Sequence, residues 1–404
     1  MKTTVLTRLY ALILCAALCI SFFSACGNGE ESATAALTET APDTADTAED
    51  TSEAPASGPE LKDCPVQHEE EFGGSYILCT IDDFNSLGFE YGDSVTVAFS
   101  NGYVMEDIPY YNGYYTQIGE PLLIAYPGYP YIKAAINNGD DLFEVASLSE
   151  TDTATVTVFE REKYLPIQDA RNITYEDIRE LFDSDEIFAN FRAVKAGDIK
   201  ENILYRSASP CDNQHNRATY VNGLIKEAGV AFILDLADSD ARIRTYFDDP
   251  DFSCDYFRTL YDGGKVEPIA LNMNLTSDGF KEKLVGGLTK MANAEGPYLV
   301  HCTEGKDRTG FVCLLLEALC GATYEEIVDD YMITYDNYYG INENQQRERY
   351  DVTIEAVLDP MIRIMAGTDD ITFADLAKGA EEFLTGAGMD KETVSLLRDR
   401  LTGK

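Results

Sequence analysis

One segment of this 404-residue chain combines a thiol, a guanidinium group and a short loop in a pattern that could do chemistry. Cys302 follows the apolar run Tyr298–Val300, and Arg308 lies six residues further on, just before the apolar run that begins at Phe311. A strand that passes through a short loop into a helix directs backbone N–H groups and a helix N-terminus at one point, which is an anion site. The planar fork of Arg308 can hold two phosphate oxygens. The spacing therefore predicts a nucleophile that faces a bound phosphate group.

The groups around Cys302 suggest how such a reaction would proceed. The helix dipole, Lys306 and Arg308 all favour the thiolate, which is the nucleophilic form of cysteine. In-line attack on phosphorus would give a cysteinyl-phosphate intermediate. A second group must protonate the leaving alcohol and then activate water, and Asp307 is the nearest carboxylate along the chain. We expect the Thr309 hydroxyl to hydrogen-bond the sulfur as it departs.

The loop also resembles a known active-site signature. The run His301-Cys302-Thr303-Glu304-Gly305-Lys306-Asp307-Arg308-Thr309-Gly310 is similar to that of protein tyrosine phosphatases, and its second half to a bacterial branch that acts on phosphotyrosine and, in several members, on phosphoinositides. The resemblance implies that Asp307 is the general acid and that Lys306 helps to bind multiply phosphorylated substrates. Phosphate is expected to bind at Thr303, Glu304, Gly305, Lys306 and Arg308.

Three flanking segments extend the resemblance to residues 187–401. They are Leu204–Pro210 with its Arg-Ser pair, Ile233–Leu236, and Asp330-Tyr331-Met332. Within the first of them, Arg206 is either a structural ion pair or a substrate contact. We interpret His301 as a residue that orders the loop backbone rather than one that transfers protons.

The sequence offers more than one candidate for the general acid. Asp307 could instead accept hydrogen bonds from loop N–H groups, and many tyrosine phosphatases use an upstream aspartate on a mobile loop. Asp278, Asp238 and Asp240 are the alternative carboxylates, with Asp278 preferred among them.

The elements that must position the loop read as an α/β phosphatase domain over residues 166–404, a central sheet with helices on both faces. The predicted helices begin at Thr174-Tyr-Glu-Asp177, span Tyr220–Ala228 and Phe280–Ala292, begin at Thr323, and form a hairpin over Phe373–Leu401. The predicted strands are Val230–Leu234, Ile269–Leu271 and Tyr298–Val300.

Residues 61–165 predict a small all-β domain, because β-branched and aromatic runs alternate there with Gly and Pro turns. The strand-like runs are Ser75–Thr80, Ser94–Phe99, Pro121–Tyr126 and Ala154–Phe159. The domain is rich in tyrosine, which we interpret as half-buried strand residues. A surface that binds carbohydrate or an unidentified partner is the alternative.

The N-terminus predicts export and anchoring. Residues 1–25 have the positive start, short apolar core and small-residue end of a signal peptide, and Cys26 follows Ser-Ala as in a bacterial lipoprotein. Residues 26–60 are acidic and nearly devoid of large apolar side chains, which is typical of a disordered tether. We therefore expect lipid on Cys26 and a location on the outer face of the bacterial cytoplasmic membrane.

Charge and cysteine content exclude several classes of function. A formal net charge of −40 argues against a surface that holds nucleic acid or anionic lipid headgroups by electrostatic attraction, and it leaves a phosphate ester possible as substrate in a local cationic pocket. Only three histidines are present, and no Cys-x-x-Cys pair occurs, so we predict neither a metal site nor another cofactor. A Cys64–Cys79 bridge is left open. The cysteines outside the predicted signal peptide and lipid site are Cys64, Cys79, Cys211, Cys254, Cys302, Cys313 and Cys320.

Hydrolysis of phosphate monoesters is the leading function, with protein phosphotyrosine as the substrate and inositol phosphates or phosphoinositides as the alternative. Sulfur transfer of the rhodanese type also uses a cysteine between strand and helix, but Arg308 and Thr309 argue against it. A surface-binding lipoprotein whose phosphatase-like domain is only a scaffold is the third class. The intact set of Cys302, Asp307 and Arg308 counts against that class.

Overall fold

The computed structural model describes residues 58–70, 72–174, 176–249, 253–372 and 374–404. The predicted signal peptide, Cys26 and nearly all of the predicted tether lie outside these residues. Residues 56–404 form one compact unit. Within the described part of the chain, no helix is both long enough and apolar enough to cross a membrane.

The N-terminal part of this unit is a closed barrel of seven strands in the order β1-β2-β6-β5-β4-β3-β7. All described pairs are antiparallel except β4 with β5. The strands are β1 (Glu60–His68), β2 (Ser75–Ile77), β3 (Ser94–Phe99), β4 (Val104–Tyr111), β5 (Pro121–Ile124), β6 (Ile132–Ile136) and β7 (Thr153–Glu160). Two short helices, α1 (Ile81–Ser86) and α2 (Leu142–Val145), belong to the same domain. The domain is therefore mainly, but not entirely, β-structure.

Alternation of side chains explains the barrel. In β3 the side chains of Val95, Val97 and Phe99 are buried, whereas Thr96 and Ala98 between them are partly exposed. The buried side chains join one core with Ile77, Ile132 and other strand residues. Burial of one face of each strand fixes the register, since a slip of one residue would turn that face to solvent.

The C-terminal part contains a five-stranded sheet in the order β11-β10-β12-β9-β8. The strands are β8 (Arg192–Ala193), β9 (Leu204–Ser207), β10 (Phe232–Asp235), β11 (Val266–Pro268) and β12 (Tyr298–His301). β9, β12, β10 and β11 are parallel, and β8 pairs antiparallel with β9. The parallel strands bring their carboxyl ends to one edge, which is where α/β proteins place their sites.

Helices cover both faces of this sheet. In β12, Tyr298 and Val300 pack into the larger core, and Leu299 packs into the smaller core on the opposite face. The helices are α3 (Leu165–Arg171), α4 (Asp185–Phe188), α5 (Ala218–Glu227), α6 (Asp240–Phe247), α7 (Asp255–Asp262), α8 (Asp278–Asn293), α9 (Asp307–Leu319), α10 (Tyr324–Tyr339), α11 (Arg347–Thr353), α12 (Asp359–Ala366), α13 (Leu376–Gly386) and α14 (Lys391–Thr402). A 3₁₀ turn (Arg179–Leu181) and a π-helical segment (Ile354–Leu358) complete the described elements. The predicted layering therefore agrees with the structure.

Two predicted elements are wrong. No helix begins after Thr174, because residues 176–178 are irregular and Asp177 bonds Arg217 at 2.7 Å instead of capping a helix. The strand expected at Ile269–Leu271 lies three residues earlier, at β11. Ala270 has a φ of 44°, which turns the chain out of the parallel ladder.

Candidate active site

The loop that carries Cys302 starts at the carboxyl edge of the sheet. His301, the last residue of β12, is in register with Asp235 of β10 and with Ser207 of β9. Helix α9 begins at Asp307, so only five residues, 302–306, connect strand and helix. This is the strand–loop–helix geometry that the sequence predicted.

Side chains and amides outside the loop hold its carbonyl groups. The backbone N–H of Ser209 donates to the Thr303 carbonyl at 3.0 Å, and the Tyr338 hydroxyl donates to the Glu304 carbonyl at 2.8 Å. In a trans peptide the N–H group points opposite to the carbonyl group. The N–H groups of Glu304 and Gly305 are therefore directed away from these outer partners, as an anion cradle requires.

Arg206 supports the loop from behind. It is 1% exposed, its Nη2 donates to the Gly305 carbonyl at 3.0 Å, and its Nη1 lies 2.5 Å from Asp330 Oδ2. Arg192 also donates to Asp330, and the two guanidinium groups outweigh the effect of burial and lower the pKa of the Asp330 carboxyl. Arg206 does not line the pocket at Cys302. Its position is that of a buried ion pair that anchors the loop.

Gly305 is the point at which the loop comes closest to the sheet. Its φ is 68°, in the left-handed region that favours glycine. A Cβ atom there would clash with the carbonyl group of Ser207, whose carbon would lie 2.5 Å away. The fold therefore requires glycine at this position for two separate reasons.

A pocket of about 300 Å³ opens above Cys302, whose side chain is 3% exposed. Residues 271–273, which follow β11, form one wall, and the loop with the start of α9 forms the other. The lining residues are Gln214, Leu271, Asn272, Met273, Cys302, Thr303, Glu304, Asp307 and Arg308. Sequence reasoning missed Gln214 and the wall at residues 271–273, because no local pattern connects them to the loop.

Two hydrogen bonds hold Arg308 across the mouth of the loop. Its Nη1 donates to the Leu271 carbonyl at 3.3 Å, and its Nη2 donates to the Thr303 hydroxyl at 3.2 Å. Both distances are long for bonds of this kind. The guanidinium group is thus oriented over the pocket while part of its donor capacity remains for an anion.

Lys306 and Asp307 form a close pair, of which Asp307 lines the pocket and Lys306 is buried beside it. Nζ of Lys306 lies 2.9 and 2.8 Å from the two carboxylate oxygens of Asp307. Burial opposes ionisation of Asp307, but the charges of Lys306, Arg171 and Arg308 outweigh it and lower the pKa of the carboxyl group. Asp307 is therefore ionised in the unliganded protein.

Glu304 is a second carboxylate in the pocket, and sequence reasoning gave it no role beyond phosphate binding. Burial raises the pKa of its carboxyl group, and the nearby charge of Asp307 acts in the same direction. Glu304 thus keeps its proton to a higher pH than an ordinary glutamate does. The two pocket carboxylates have opposite pKa shifts.

The Thr309 hydroxyl is buried in the first turn of α9. Its oxygen has no hydrogen-bond partner among the described residues, so the expected bond to the Cys302 sulfur is not formed in this structure. An unpaired buried hydroxyl is costly and rare. The group is available for a partner that forms during a reaction.

His301 is buried and neutral. Its Nδ1 donates to the Cys302 carbonyl at 3.3 Å, and its Nε2 lies 3.9 Å from Asp235 Oδ2. Burial lowers the pKa of the imidazole to about 4. These contacts agree with a role in ordering the loop.

The alternative carboxylates lie elsewhere. Asp278 is exposed in the first turn of α8, and Asp240 pairs with Arg244 and Tyr261 on α6 and α7. Asp238 is buried and accepts from the Tyr246 hydroxyl at 3.0 Å. None of the three lines the pocket at Cys302.

One group of described residues has the composition of a metal site. Cys211, Asp235 and Asp238 each offer a ligand atom, and these atoms lie within 4.8 Å of one another. Burial raises the pKa of each of the two carboxyl groups to about 6 and that of the thiol well above its usual value. Protonated groups are poor ligands, so these shifts weaken metal binding. All seven described cysteines, including Cys64 and Cys79, are free thiols.

Comparison with known proteins gives the family. Residues 188–403, more than half of the chain, match the model of the tyrosine phosphatase family. The chain therefore belongs to this family, and the resemblance expected from the loop is confirmed.

Individual relatives are distant. A candidate tyrosine-protein phosphatase of Cupriavidus necator is 29% identical over 94 residues, which is 23% of this chain and 34% of the relative. The triple specificity protein phosphatase PtpB of Mycobacterium tuberculosis is 29% identical over 143 residues, 32% of this chain and 51% of the relative. The chain thus spans about half or less of the length of these relatives.

Among solved structures, the catalytic domain of the PP-IP phosphatase SIW14 from S. cerevisiae has 19% identity and a TM-score of 0.25, with coverage of 44% of this chain and 91% of that one. TpbA of P. aeruginosa has 18% identity and a TM-score of 0.24, with coverage of 42% and 92%.

Proposed function

We propose that this protein hydrolyses phosphate monoesters through a cysteinyl-phosphate intermediate at Cys302. The observation that carries the proposal is the loop itself, in which Cys302 and Arg308 line the same pocket of about 300 Å³. Membership of the tyrosine phosphatase family supports it.

The proposed hydrolysis has two steps, in which these residues have different roles. The Cys302 thiolate attacks phosphorus, the bond from phosphorus to the leaving oxygen breaks, and Asp307 gives that oxygen a proton. Asp307 then takes a proton from water, the water oxygen attacks phosphorus, and the phosphorus–sulfur bond breaks to return the thiolate and release inorganic phosphate. Arg308 and the loop N–H groups hold the phosphate oxygens throughout. Thr309 donates to the departing sulfur in the second step.

Phosphotyrosine in proteins is the substrate that we propose. The pocket lining includes the apolar residues Leu271 and Met273, and a substrate's aromatic ring can pack against Met273. The carboxylates of Glu304 and Asp307 also line it, and the chain carries a net charge of −40. Lys306 is already paired with Asp307. These charges disfavour inositol polyphosphates, which need several free cations.

Turnover of a tyrosine phosphopeptide and of soluble inositol phosphates, compared between the native chain and Cys302→Ser, tests this proposal. We expect the native chain to release phosphate from the peptide, and we expect both Cys302→Ser and added vanadate to abolish release. Undiminished release by Cys302→Ser would disprove the mechanism. Faster release from inositol phosphates than from the peptide would disprove the substrate.

We also propose that the chain is lipid-anchored through Cys26 on the outer face of the bacterial cytoplasmic membrane. The support is the predicted signal peptide and the Ser-Ala-Cys junction. Metabolic labelling with a fatty-acid analogue should mark the native chain and not Cys26→Ala. Equal labelling of both would contradict the proposal.

A further inference from the structure

A second pocket adjoins the one at Cys302. It has a volume of about 330 Å³, and it shares Met273 and Asp307 with the first pocket. The barrel provides one side of it, from Tyr114 to Ile118, and the sheet-and-helix region provides the other. A substrate bound at Cys302 can therefore reach a surface to which the barrel contributes.

Direct contacts fix the two sides of this pocket against each other. The Gln117 side chain donates to the Ala356 carbonyl at 3.0 Å, and Arg349 donates to the Asp169 carbonyl at 2.7 Å. Ile167 of α3 packs against the second hydrophobic cluster of the barrel. The two sides of the pocket are thus held together by contacts within the compact unit.

Arg171 is the one cation that lines the second pocket. It is the last residue of α3, and its guanidinium group lies over the Tyr115 ring, 5.6 Å from the ring centre. Among the described residues its side chain has no hydrogen-bond or ion-pair partner within bonding distance. A partly buried guanidinium group whose N–H donors have no such partner is suited to binding a carboxylate or a phosphate.

Most of the rest of the lining is apolar or already engaged. Met273, Leu275, Val357, Met361 and Ile364 form an apolar wall. The Asn137 amide on the barrel side is committed to the Thr116 carbonyl at 2.6 Å. A ligand that suits this pocket has an apolar part and one anionic group. A densely phosphorylated ligand would meet a single cation and the negative charge of Asp307.

We propose that this pocket is a subsite for residues that flank the phosphotyrosine of a protein substrate, in which Arg171 binds an acidic side chain and the apolar wall takes a neighbouring one. The inference rests on the proposed function and adds the barrel to the specificity of the reaction. The barrel side contributes Tyr115, on whose ring Arg171 stacks.

Arg171 could instead act only through Asp307, since its charge helps to lower the pKa of that carboxyl group. The two roles predict different substrate dependence. A role through Asp307 changes the turnover of every substrate alike. A subsite changes only substrates that reach it.

The test compares three variants on matched substrates. The substrates are tyrosine phosphopeptides in which one position near the phosphotyrosine is Glu, Gln or Lys, and 4-nitrophenyl phosphate, which is too small to reach the second pocket. The variants are Arg171→Gln, Arg171→Glu and Lys226→Gln. Lys226 is an exposed cation that lines neither pocket, so its variant controls for net charge.

For Arg171→Gln we expect kcat/KM on the best Glu peptide to fall about 10-fold, the effect of one charge-assisted hydrogen bond. We expect a smaller fall in kcat/KM on the Gln peptide and on 4-nitrophenyl phosphate, because neither presents an anionic side chain to Arg171 and both report only on the charge that Arg171 places near Asp307. Arg171→Glu should reverse the preference and favour the Lys peptide. Lys226→Gln should match the native chain on all substrates.

If Arg171→Gln lowers kcat/KM equally on all substrates, the subsite is overturned, and Arg171 acts only through the pKa of Asp307. Unchanged rates everywhere would overturn it as well, as would turnover of 4-nitrophenyl phosphate without turnover of any peptide. A selective loss on a soluble inositol bisphosphate would show that a small anionic ligand occupies the pocket, and this too would overturn the proposal. If Cys302→Ser keeps the native rate on 4-nitrophenyl phosphate, the proposed function itself fails. This outcome concerns Cys302 and can be told apart from the outcomes that would overturn only the subsite at Arg171.

Discussion

Nζ of Lys306 lies within 2.9 Å of both carboxylate oxygens of Asp307, which lines the pocket at Cys302. This pair stabilises the ionised carboxylate, whereas a proton donor must start protonated. A bound phosphate dianion opposes the effect, because its charge favours the protonated form of a neighbouring carboxyl group. The assignment of the acid therefore depends on the liganded state.

We expect Asp307→Asn to lose about 10²–10⁴-fold in turnover of a tyrosine phosphopeptide, the usual contribution of a positioned acid. The loss should be smaller for 4-nitrophenyl phosphate, whose alcohol leaves without a proton. Glu304→Gln is the matched control in the same pocket, and its effect should not depend on the leaving group. If Glu304→Gln alone shows that dependence, Glu304 is the acid.

The pH profile gives an independent measure of the same assignment. Activity that requires protonated Asp307 is present below the pKa of that group and is lost as pH rises through it, so the optimum should lie on the acid side of neutrality. Lys306→Gln removes the charge that lowers this pKa. We expect the basic limb of the kcat profile to move to higher pH in that variant. An unmoved limb would show that another group limits the rate.

Substitution of Gly305 should abolish activity. In Gly305→Ala the new Cβ atom would clash with the Ser207 carbonyl at a φ of 68°, so the loop must shift. Gly223, within α5, has open space around it. Gly223→Ala should keep full turnover and add about 0.5–1 kcal/mol of stability, as alanine does in a helix. Phosphate release measures turnover, and chemical denaturation measures the free energy of unfolding. A Gly305→Ala variant that is active would contradict the loop geometry.

Arg206 should matter for stability as well as for turnover. Arg206→Leu removes one partner of a buried ion pair, which costs about 3–5 kcal/mol, and it removes one of the two described donors to the Gly305 carbonyl, the other being Asn190. The cost should fall near the lower end, because Arg192 still pairs with Asp330. Denaturant unfolding of Arg206→Leu and of the native chain measures this loss of stability. Arg244→Leu, at an exposed ion pair on α6, should leave the midpoint unchanged.

Activity should survive EDTA. The proposed reaction needs only the thiolate, the guanidinium group and a carboxylate. Loss of turnover in EDTA with recovery on added zinc or manganese would contradict it and would direct attention to Cys211, Asp235 and Asp238. In that case Cys211→Ser should show the same loss without chelator.

The sequence by itself determined the loop, the family and the layering of the sheet. Cys302, Gly305 and Arg308 are close in sequence, so the strand–loop–helix geometry follows from a local pattern. The same holds for α10, whose predicted start at Thr323 is a complete capping box. Local signals of this kind depend on backbone chemistry within a few residues.

Only the tertiary structure decided what surrounds the loop. A helix was expected to begin at Thr174 with Asp177 in its capping box, but Arg217, which lies 40 residues after Asp177 in the chain, binds the Asp177 carboxylate instead. The roles of Arg206 and Asp278 also depended on long-range contacts, because burial against Asp330 or exposure on α8 cannot be inferred from neighbours in sequence. The position of Arg171 near the pocket at Cys302 depends in the same way on how α3 packs against α11 and how the barrel contacts the π-helical segment. Such packing depends on many weak contacts between segments that are distant in sequence, and no local pattern of residues predicts their combined effect.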